Sequence, residues 1–280
     1  MTEARAIMPF RFSLAQLTVL KTSPAEIARI AANCGYDYVS MRQIYMGLPG
    51  EPDYDLSKNK QLMKETKDVF AETGIRLLDI ELARVFDGMD VRKYEPAMAT
   101  AVELGGKHVL SSIWTGQRDY YLDRFAELCD LAKQYGLTVE LEYVPIAGVK
   151  TLAGAVDVLK TVKRPNAGLM VDVHHFQRAQ DDPAELRKLP KEWFRFAHLC
   201  DAPGPIPADR DEMTRILREE RSYVGEGGID VAGILGAMPP MPYSIELPNL
   251  KRVAEYGYET HARRCLESAK KYCESFVKTA

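Results

Sequence analysis

The chain has 280 residues, of which 46% are hydrophobic and 28% are charged. These proportions are typical of a globular protein, and the length suits one large domain or two small ones. The formal net charge is −3 and the pI is about 6.0, so no cationic surface large enough to drive nucleic-acid binding is indicated. No run approaches about 18 uninterrupted apolar residues, and segment 1–20 lacks an apolar core. The sequence therefore predicts neither a membrane span nor a signal peptide.

The cysteines favour a reducing compartment. Five are present, at positions 34, 129, 200, 265 and 273, and no two of them form a CxxC pair. An odd number without that spacing is typical of free thiols and not of a disulfide framework or a thiolate zinc site. The sequence therefore predicts a cytoplasmic protein.

Strands and helices are predicted to alternate along the whole chain. Short apolar or alternating runs bounded by turn residues indicate strands at residues 10–17, 38–42, 75–83, 107–112, 137–143, 167–172, 193–200 and 243–246. Amphipathic runs and capping residues indicate helices at residues 24–34, 56–73, 91–104, 120–135, 151–163, 231–238 and 258–276, with a short one opening at Asp182. Segments 46–54 and 201–228 are predicted loops.

This alternation predicts a parallel sheet, because each crossover helix returns the chain in the same direction. Eight βα units at fairly even spacing fit a closed (β/α)8 TIM barrel best, formed by residues 1–280 as one domain. An open, doubly wound sheet is the alternative. It is disfavoured because segment 18–23, after the first strand, lacks a glycine-rich phosphate turn.

Each of the last four predicted strands ends with a polar side chain, namely Glu142, Asp172, His198 and Glu246. Neighbouring strands in a barrel lie about 4.8 Å apart, so these groups can converge on one point of the rim. Three carboxylates would repel one another and raise their pKa values if no cation were present. The set suits one divalent ion, with Mn²⁺ first and Mg²⁺, Co²⁺ or Zn²⁺ as alternatives. Glu140 shares the strand parity of Glu142, so either one can be the inward group and the other a buried salt-bridge partner.

Five segments resemble the sugar phosphate isomerase/epimerase family of the xylose isomerase-like TIM-barrel superfamily: EYVP (142–145), VDVHHF (171–176), AHLCDA (197–202), GEGGID (225–230) and SIELPN (244–249). They lie in order over nearly the whole chain. The resemblance implies that the four strand-end residues are metal ligands and that His175 binds substrate, while His174 packs or makes an indirect contact. It also implies a homodimer or homotetramer. Members include epimerases, isomerases, dehydratases and abasic-site endonucleases, so the resemblance does not select the reaction.

Two positions depart from the ketose 3-epimerases of this superfamily. Those enzymes carry a second glutamate six residues after the ligand on the fifth strand and an arginine six residues after the histidine on the seventh. The corresponding positions here are Gly148 and Gly204. A ketohexose 3-epimerase is therefore disfavoured by this comparison.

The leading prediction is a metal-dependent isomerase or epimerase of a small-molecule keto sugar or cyclitol. A divalent ion that holds two neighbouring oxygens of a hydroxy-ketone acidifies the C–H bond between them and stabilises an enediolate. Glu142 and Glu246 lie on opposite sides of the site in strand order and are the predicted catalytic carboxylates. The alternative is a lyase on the same site, either of the inosose or dehydroshikimate dehydratase type or one acting by β-elimination from a 3-keto glycoside.

Further polar or aromatic residues near strand ends are predicted to contact the substrate: Arg42, Glu81, Trp114, Asp201 and Arg221. Segment 201–228 is predicted to act as a lid, or else to be a mobile surface loop. An abasic-site endonuclease would need more histidines than the five present and a basic groove, so it is a minor rival. The second minor rival is a non-catalytic barrel that binds a partner.

Overall fold

The barrel closes in chain order. The computed structural model describes residues 10–47 and 49–279, with side chains as far as residue 275. Within these ranges eight parallel strands pair in sequence, and the first also pairs with the last. The predicted (β/α)8 TIM barrel is confirmed. The strands are β1 (Phe12–Ala15), β2 (Tyr38–Arg42), β3 (Arg76–Val85), β4 (His108–Ile113), β5 (Thr138–Glu142), β6 (Ala167–Asp172), β7 (Ala197–Leu199) and β8 (Tyr243–Ile245).

Helices connect the strands. They are α1 (Pro24–Cys34), α2 (Lys60–Thr73), α3 (Glu95–Glu103), α4 (Arg118–Gln134), α5 (Leu152–Val162), α6 (Val173–Arg178), α7 (Pro183–Leu186), α8 (Arg210–Glu219), α9 (Val231–Leu235) and α10 (Leu250–Thr279). The start of α1 is the predicted capping box, in which Ser23 accepts a hydrogen bond from the backbone of Glu26 and Glu26 accepts one from the backbone of Ser23. Gly35 ends this helix with φ 86°, a conformation that glycine adopts without steric cost.

The structure corrects several predicted boundaries. The first strand is shorter than predicted, because residues Gln16–Val19 turn into a 3₁₀ helix. A helix, α8, lies inside the segment that was predicted to be a loop, and a one-turn-and-a-half helix, α6, follows β6 directly. The last helix begins eight residues early, but Gly257 interrupts it with φ 74° and ψ 168°, so its second part starts where the sequence predicts. None of the helices in the described ranges is both long and apolar enough to cross a bilayer.

Apolar side chains fill the space between the strands and the helices, and a smaller apolar cluster occupies the barrel interior. The members of that second cluster are Leu78, Leu82, Leu110, Met170 and Phe196. The interior also holds a polar network around Ser40, whose hydroxyl lies 2.9 Å from that of Ser13 and 3.0 Å from that of Ser244, and which donates to Asp79. Inward-pointing layers of this kind make a packed core and leave the carboxyl-terminal rim as the place for a site.

Candidate metal centre

The ends of β5, β6 and β7 bring three of the predicted ligands together. Glu142 and Asp172 are the last residues of their strands, and His198 pairs in register with Asp172. One ligand atom from each lies within 4.8 Å of the others. Nδ1 of His198 is 3.7 Å from Oε1 of Glu142 and 3.8 Å from Oδ2 of Asp172. These separations are too long for hydrogen bonds, and they suit atoms that share one cation at about 2 Å from each.

The fourth predicted ligand, Glu246, lies at the edge of this group. It directly follows β8, and its Oε2 is 3.5 Å from Nδ1 of His198. The same oxygen is 2.9 Å from Nη2 of Arg221. Glu246 is not part of the set of mutually close ligand atoms, so its role as a ligand remains a prediction.

Buried atoms in the cluster lack hydrogen bonds. Oε1 of Glu142 and both ring nitrogens of His198 are inaccessible to solvent and have no hydrogen-bond partner among the described residues. A buried polar atom without a partner is rare and costs free energy. Coordination of one cation would compensate Oε1 of Glu142 and Nδ1 of His198 together. The donor atoms present therefore fit a metal ion.

Arg221 is fully buried and joins two of the carboxylates. Its Nη1 lies 2.8 Å from Oδ2 of Asp172, while Nη2 contacts Glu246. Burial alone would raise the pKa of Asp172, but the guanidinium lowers it to about 2. The three carboxylates exceed this one guanidinium by two negative charges, which a divalent cation would neutralise. Arg221 was predicted to contact substrate. In the structure its guanidinium bridges the carboxylates of Asp172 and Glu246 at the cavity wall.

The excess negative charge also acts on Glu142 and His198. Burial raises the pKa of Glu142 well above its ordinary value. Burial alone would lower the pKa of His198, but the neighbouring carboxylates of Glu246 and Glu142 raise it to about 10. The cluster thus favours added positive charge, as a cation site does.

The two histidines after Asp172 occupy different positions. Nε2 of His175 lies 3.6 Å from Oε1 of Glu142 and 3.8 Å from Oδ2 of Asp172, and the ring lines the cavity. Burial lowers the pKa of His175 to about 4, so its imidazole is neutral and can either donate a hydrogen bond or accept one. His174 is fully buried and packs its ring edge-on against that of His175, with centroids 5.5 Å apart.

Glu140 and Glu142 have separate roles. Oε1 of Glu140 lies 3.0 Å from Nη1 of Arg195 and 3.6 Å from Nδ1 of His108. Glu140 is therefore the buried salt-bridge partner of the pair, and Glu142 is the carboxylate that reaches the candidate centre.

A cavity of about 50 Å³ adjoins the cluster. Its walls include Glu142, His175 and Glu246, whereas Asp172 and His198 do not line it. Four more residues predicted to contact substrate also line it, namely Arg42, Glu81, Trp114 and Arg221. A cavity of this volume accommodates only a few water molecules. A ring-sized substrate can enter only if part of the wall moves.

Helix α8, which lies in the segment predicted to be a lid, forms part of this wall. Its residues Leu217 and Arg218 line the cavity, and Ile216 is buried beneath them. The helix begins at Asp209, whose side chain accepts a hydrogen bond from the backbone of Glu212. The sequence analysis did not identify Leu217 or Arg218 as cavity residues. It could have predicted their helix, because an aspartate followed three residues later by a glutamate, here Asp209 and Glu212, is a typical helix start.

Asp201 makes its side-chain contacts with backbone groups. Its carboxylate accepts hydrogen bonds from the backbone N–H groups of Ala202, Gly225, Gly227 and Ile229, at 2.8 to 3.1 Å. Both oxygens thereby hold the backbone of residues 225–229, and Asp201 does not line the cavity. The substrate contact of this residue stays a prediction. Asp201 follows β7 at the rim, where a residue that contacts a ligand is expected. In the structure the hydrogen-bond partners of its carboxylate are backbone N–H groups.

The two departures from the 3-epimerases have different outcomes. A Cβ atom at Gly148 would lie 2.2 Å from the carbonyl oxygen of Thr115, so no side chain fits there without a backbone shift. The missing glutamate therefore has no substitute at this position. An arginine does reach the site, but from position 221, because α8 lengthens the connection after β7. The sequence comparison looked for this arginine six residues after His198, at Gly204, and therefore did not find Arg221.

Comparison with known proteins agrees with this architecture. A profile of the xylose isomerase-like TIM barrel family matches residues 28–269. The chain belongs to this family. A crystal structure of the IOLI protein with a bound zinc atom superposes with a TM-score of 0.79 at 22% identity, covering 95% of this chain and 99% of that one. D-allulose 3-epimerase from Methylomonas sp. superposes with a TM-score of 0.69 at 18% identity, covering 94% and 96%. At these identities the two structures show the shared fold.

Enzymes of the xylose isomerase-like family are also similar in sequence. Inosose isomerase of Bacillus velezensis is 23% identical over 261 residues, which are 87% of this chain and 88% of that protein. The 3-dehydroshikimate dehydratase of Pseudomonas aeruginosa is 25% identical over 244 residues, which are 82% of this chain but only 36% of that longer protein. An isomerase and a dehydratase among the relatives support an enzyme and leave both reaction types open.

Proposed function

We propose that this chain is a divalent-metal-dependent isomerase or epimerase of a keto sugar or cyclitol, acting through an enediolate. The observation that carries the proposal is the convergence of Glu142, Asp172 and His198 on one point beside a cavity, with unpartnered buried atoms facing that point. Similarity to inosose isomerases along most of the chain supports the same class.

Glu142, Asp172 and His198 would hold the ion, with Glu246 as the fourth ligand. Three carboxylates and one imidazole suit Mn²⁺, with Mg²⁺, Co²⁺ or Zn²⁺ as alternatives. The bound ion would supply positive charge next to the carbonyl oxygen of the substrate, where negative charge develops when a neighbouring C–H proton is lost. Arg221 would keep Asp172 and Glu246 ionised and oriented, because its guanidinium bonds to both.

The protein's own groups would move the proton. Glu142 lines the cavity, so its second carboxylate oxygen, Oε2, would accept a proton from the carbon next to the carbonyl while Oε1 holds the ion. Glu246 faces the cavity from the other side of the cluster and can return a proton to the neighbouring carbon or to the opposite face. His175, between them and neutral, would hold a substrate hydroxyl.

The opposite wall offers groups for hydroxyls. Nη1 of Arg42 and Oε1 of Glu81 are buried and make no hydrogen bond with described residues, although Nη1 lies 3.6 Å from Glu51. Nε of Arg42 is 3.2 Å from Oε2 of Glu81, which fixes both side chains. A polyhydroxylated substrate would give Nη1 an acceptor and Oε1 a donor. Trp114 could cover one face of the ring, since its indole lines the same cavity and is held by a 2.8 Å hydrogen bond to Ser112.

A lyase on the same site is the second candidate. Similarity to 3-dehydroshikimate dehydratases supports it, as does Gly148, which leaves the site without the second glutamate of the 3-epimerases. The first proton transfer would be the same. The C–O bond of a β-hydroxyl would then break as the C=C bond forms, and the abstracted proton would leave with that hydroxyl as water.

The test is solvent deuterium exchange. The Mn²⁺-loaded protein in D₂O is incubated with an inosose and with 3-dehydroshikimate, and NMR follows deuterium at the carbons next to the carbonyl. We expect exchange that depends on the metal, a rearranged ketone for an isomerase and a conjugated enone or aromatic product for a lyase. Asp172→Asn should bind less metal and lose exchange, whereas Glu226→Gln, which changes an exposed carboxylate on the lid segment, should keep both. A metal-loaded protein that exchanges no proton in either ketone would overturn the proposal.

A further inference from the structure

Arg218 is the one cavity arginine without a partner among the described residues. It lies on α8, is partly buried, and lines the cavity together with Leu217. No hydrogen bond or ion pair joins it to any residue in the described ranges. Part of the side chain is thus removed from water without gaining a hydrogen bond or an ion pair. An anion in the cavity would supply the acceptor that Arg218 lacks.

The other arginines near the cavity are all engaged. Arg42 lies between the carboxylates of Glu81 and Glu51. Arg221 bridges Asp172 and Glu246, as described above. Arg84 donates from Nη2 to the backbone carbonyl of Met46 at 3.3 Å. Arg218 thus differs from its neighbours in having no acceptor, and this difference cannot be ascribed to a generally basic cavity.

The charges nearest to Arg218 make its position still less favourable. Burial lowers the pKa of Arg218, and the positive charges of Arg42 and Arg84 lower it further, while Glu219 next to it in the chain acts in the other direction. Like charges in a partly dehydrated space repel more strongly than in water. Helix α8 therefore places at the cavity wall a guanidinium that has no hydrogen-bonded or ion-paired acceptor among the described residues.

We propose that Arg218 binds an anionic substituent of the substrate, a carboxylate or a phosphate, and that the site thereby selects acidic polyhydroxylated ketones over neutral ones. The identity of the reacting ketone rests on the proposed function, but the binding of an anion by Arg218 does not. A guanidinium is well suited to this task, because two of its N–H groups can bond to two oxygens of a carboxylate or phosphate at once. Because Arg218 lies on the lid, binding of the anion would also draw α8 onto the substrate.

The experiment compares matched acidic and neutral probes that contain no ketone and cannot turn over. Isothermal titration calorimetry on the Mn²⁺-loaded protein measures binding of shikimate against its methyl ester, and of sorbitol 6-phosphate against sorbitol. We expect one acidic probe to bind at least about tenfold more tightly than its neutral counterpart. The pair that shows the difference identifies carboxylate or phosphate as the group that is bound.

Variants assign the preference to Arg218. Arg218→Gln should abolish the preference for the acidic probe without weakening the neutral one, and Arg218→Lys should keep part of it. Arg215→Gln is the matched control, since Arg215 lies on the same helix but pairs at the surface with Glu212 and Glu220. Thermal melts establish that each variant is folded. Equal binding of acidic and neutral probes by the parent protein, no binding of either acidic probe, or a preference that survives in Arg218→Gln would overturn the proposal.

Calorimetry and deuterium exchange separate the two proposals. An acidic preference without proton exchange would reject the enzyme class and keep the anion site. Proton exchange without a preference for the acidic probes would reject the anion site and keep the enzyme class.

Discussion

Nη1 of Arg221 donates a hydrogen bond of 2.8 Å to Oδ2 of Asp172, and both side chains are shielded from solvent. The same guanidinium contacts Glu246, so one cation compensates two acids that are predicted to face a metal. A buried ion pair is costly to break because the remaining group keeps its charge without a counter-charge.

Replacement of Arg221 by methionine should therefore destabilise the protein strongly. We expect the metal-free protein to lose roughly 3–5 kcal/mol of unfolding free energy, because Asp172 and Glu246 are left buried and uncompensated. Urea denaturation at neutral pH measures the loss. Arg215→Met, which removes an exposed arginine from α8, is the control. A loss in Arg221→Met no greater than in that control would contradict the bridging role.

Gly148 gives a second prediction about stability. Alanine at position 148 would bring Cβ within 2.2 Å of the carbonyl oxygen of Thr115, which is backbone and cannot rotate away. We expect Gly148→Ala to cost about 1–3 kcal/mol of unfolding free energy, as overpacking does. Gly116→Ala is a matched control in the neighbouring loop, since a Cβ there meets nothing within 4 Å. Equal melting temperatures for the two variants would show that the loops shift at no cost.

Asp201 should control the order of residues 225–229. Asp201→Asn keeps the shape of the side chain but leaves one oxygen to accept the hydrogen bonds from Gly225, Gly227 and Ile229. We expect amide hydrogen exchange in segment 225–229 to accelerate about tenfold, which corresponds to the loss of one or two such bonds. Mass spectrometry of peptides from this segment measures the rate. Glu226→Gln should leave it unchanged, and equal rates in Asp201→Asn and the parent would contradict the anchoring role.

Asp79 in the barrel interior should make stability depend on pH. Burial raises the pKa of Asp79 to about 7, although the hydrogen bond from Ser40 partly opposes the rise. The folded protein therefore binds a proton that the unfolded chain releases near pH 4, so the free energy of unfolding should fall as pH rises from about 4 to about 7. Asp79→Asn should remove this part of the fall, and urea denaturation across that range measures it.

A second variant checks the cause. Ser40→Ala removes the hydrogen bond that lowers the pKa of Asp79, so the decline in stability should extend to higher pH. Parallel curves for Asp79→Asn and the parent would show that Asp79 does not titrate in this range.

The sequence was sufficient to predict the barrel and the convergence of Glu142, Asp172 and His198. Apolar runs that end in Glu142, Asp172 and His198 place those residues on neighbouring strands. The carboxyl ends of the strands meet at one rim of the barrel, and this does not depend on the conformation of the loops. The choice between Glu140 and Glu142 was not accessible, because both share a strand face. Only the position of Arg195 decides it, and that arginine comes from a distant part of the chain.

The helix within segment 201–228 was harder to predict. Segment 210–219 is polar and its few apolar residues cover one narrow stripe, so its helix depends on packing of Ile216 against the barrel and on the cap at Asp209. The backbone contacts of Asp201 were not predictable for a related reason. A carboxylate after a strand can face a ligand or the loop that follows, and the backbone path of residues 225–229 determines which.

The predicted metal ligands and the other polar residues of the cavity lie on different parts of the rim. The predicted metal ligands come from the second half of the barrel, β5 to β8, whereas Arg42 and Glu81 come from β2 and β3, and Arg218 comes from α8, between β7 and β8. Substitutions in β2, β3 or α8 would change the cavity wall without touching the residues that are predicted to hold the ion. Under the proposed function, the substrate and the ion would therefore respond to changes at different parts of the rim.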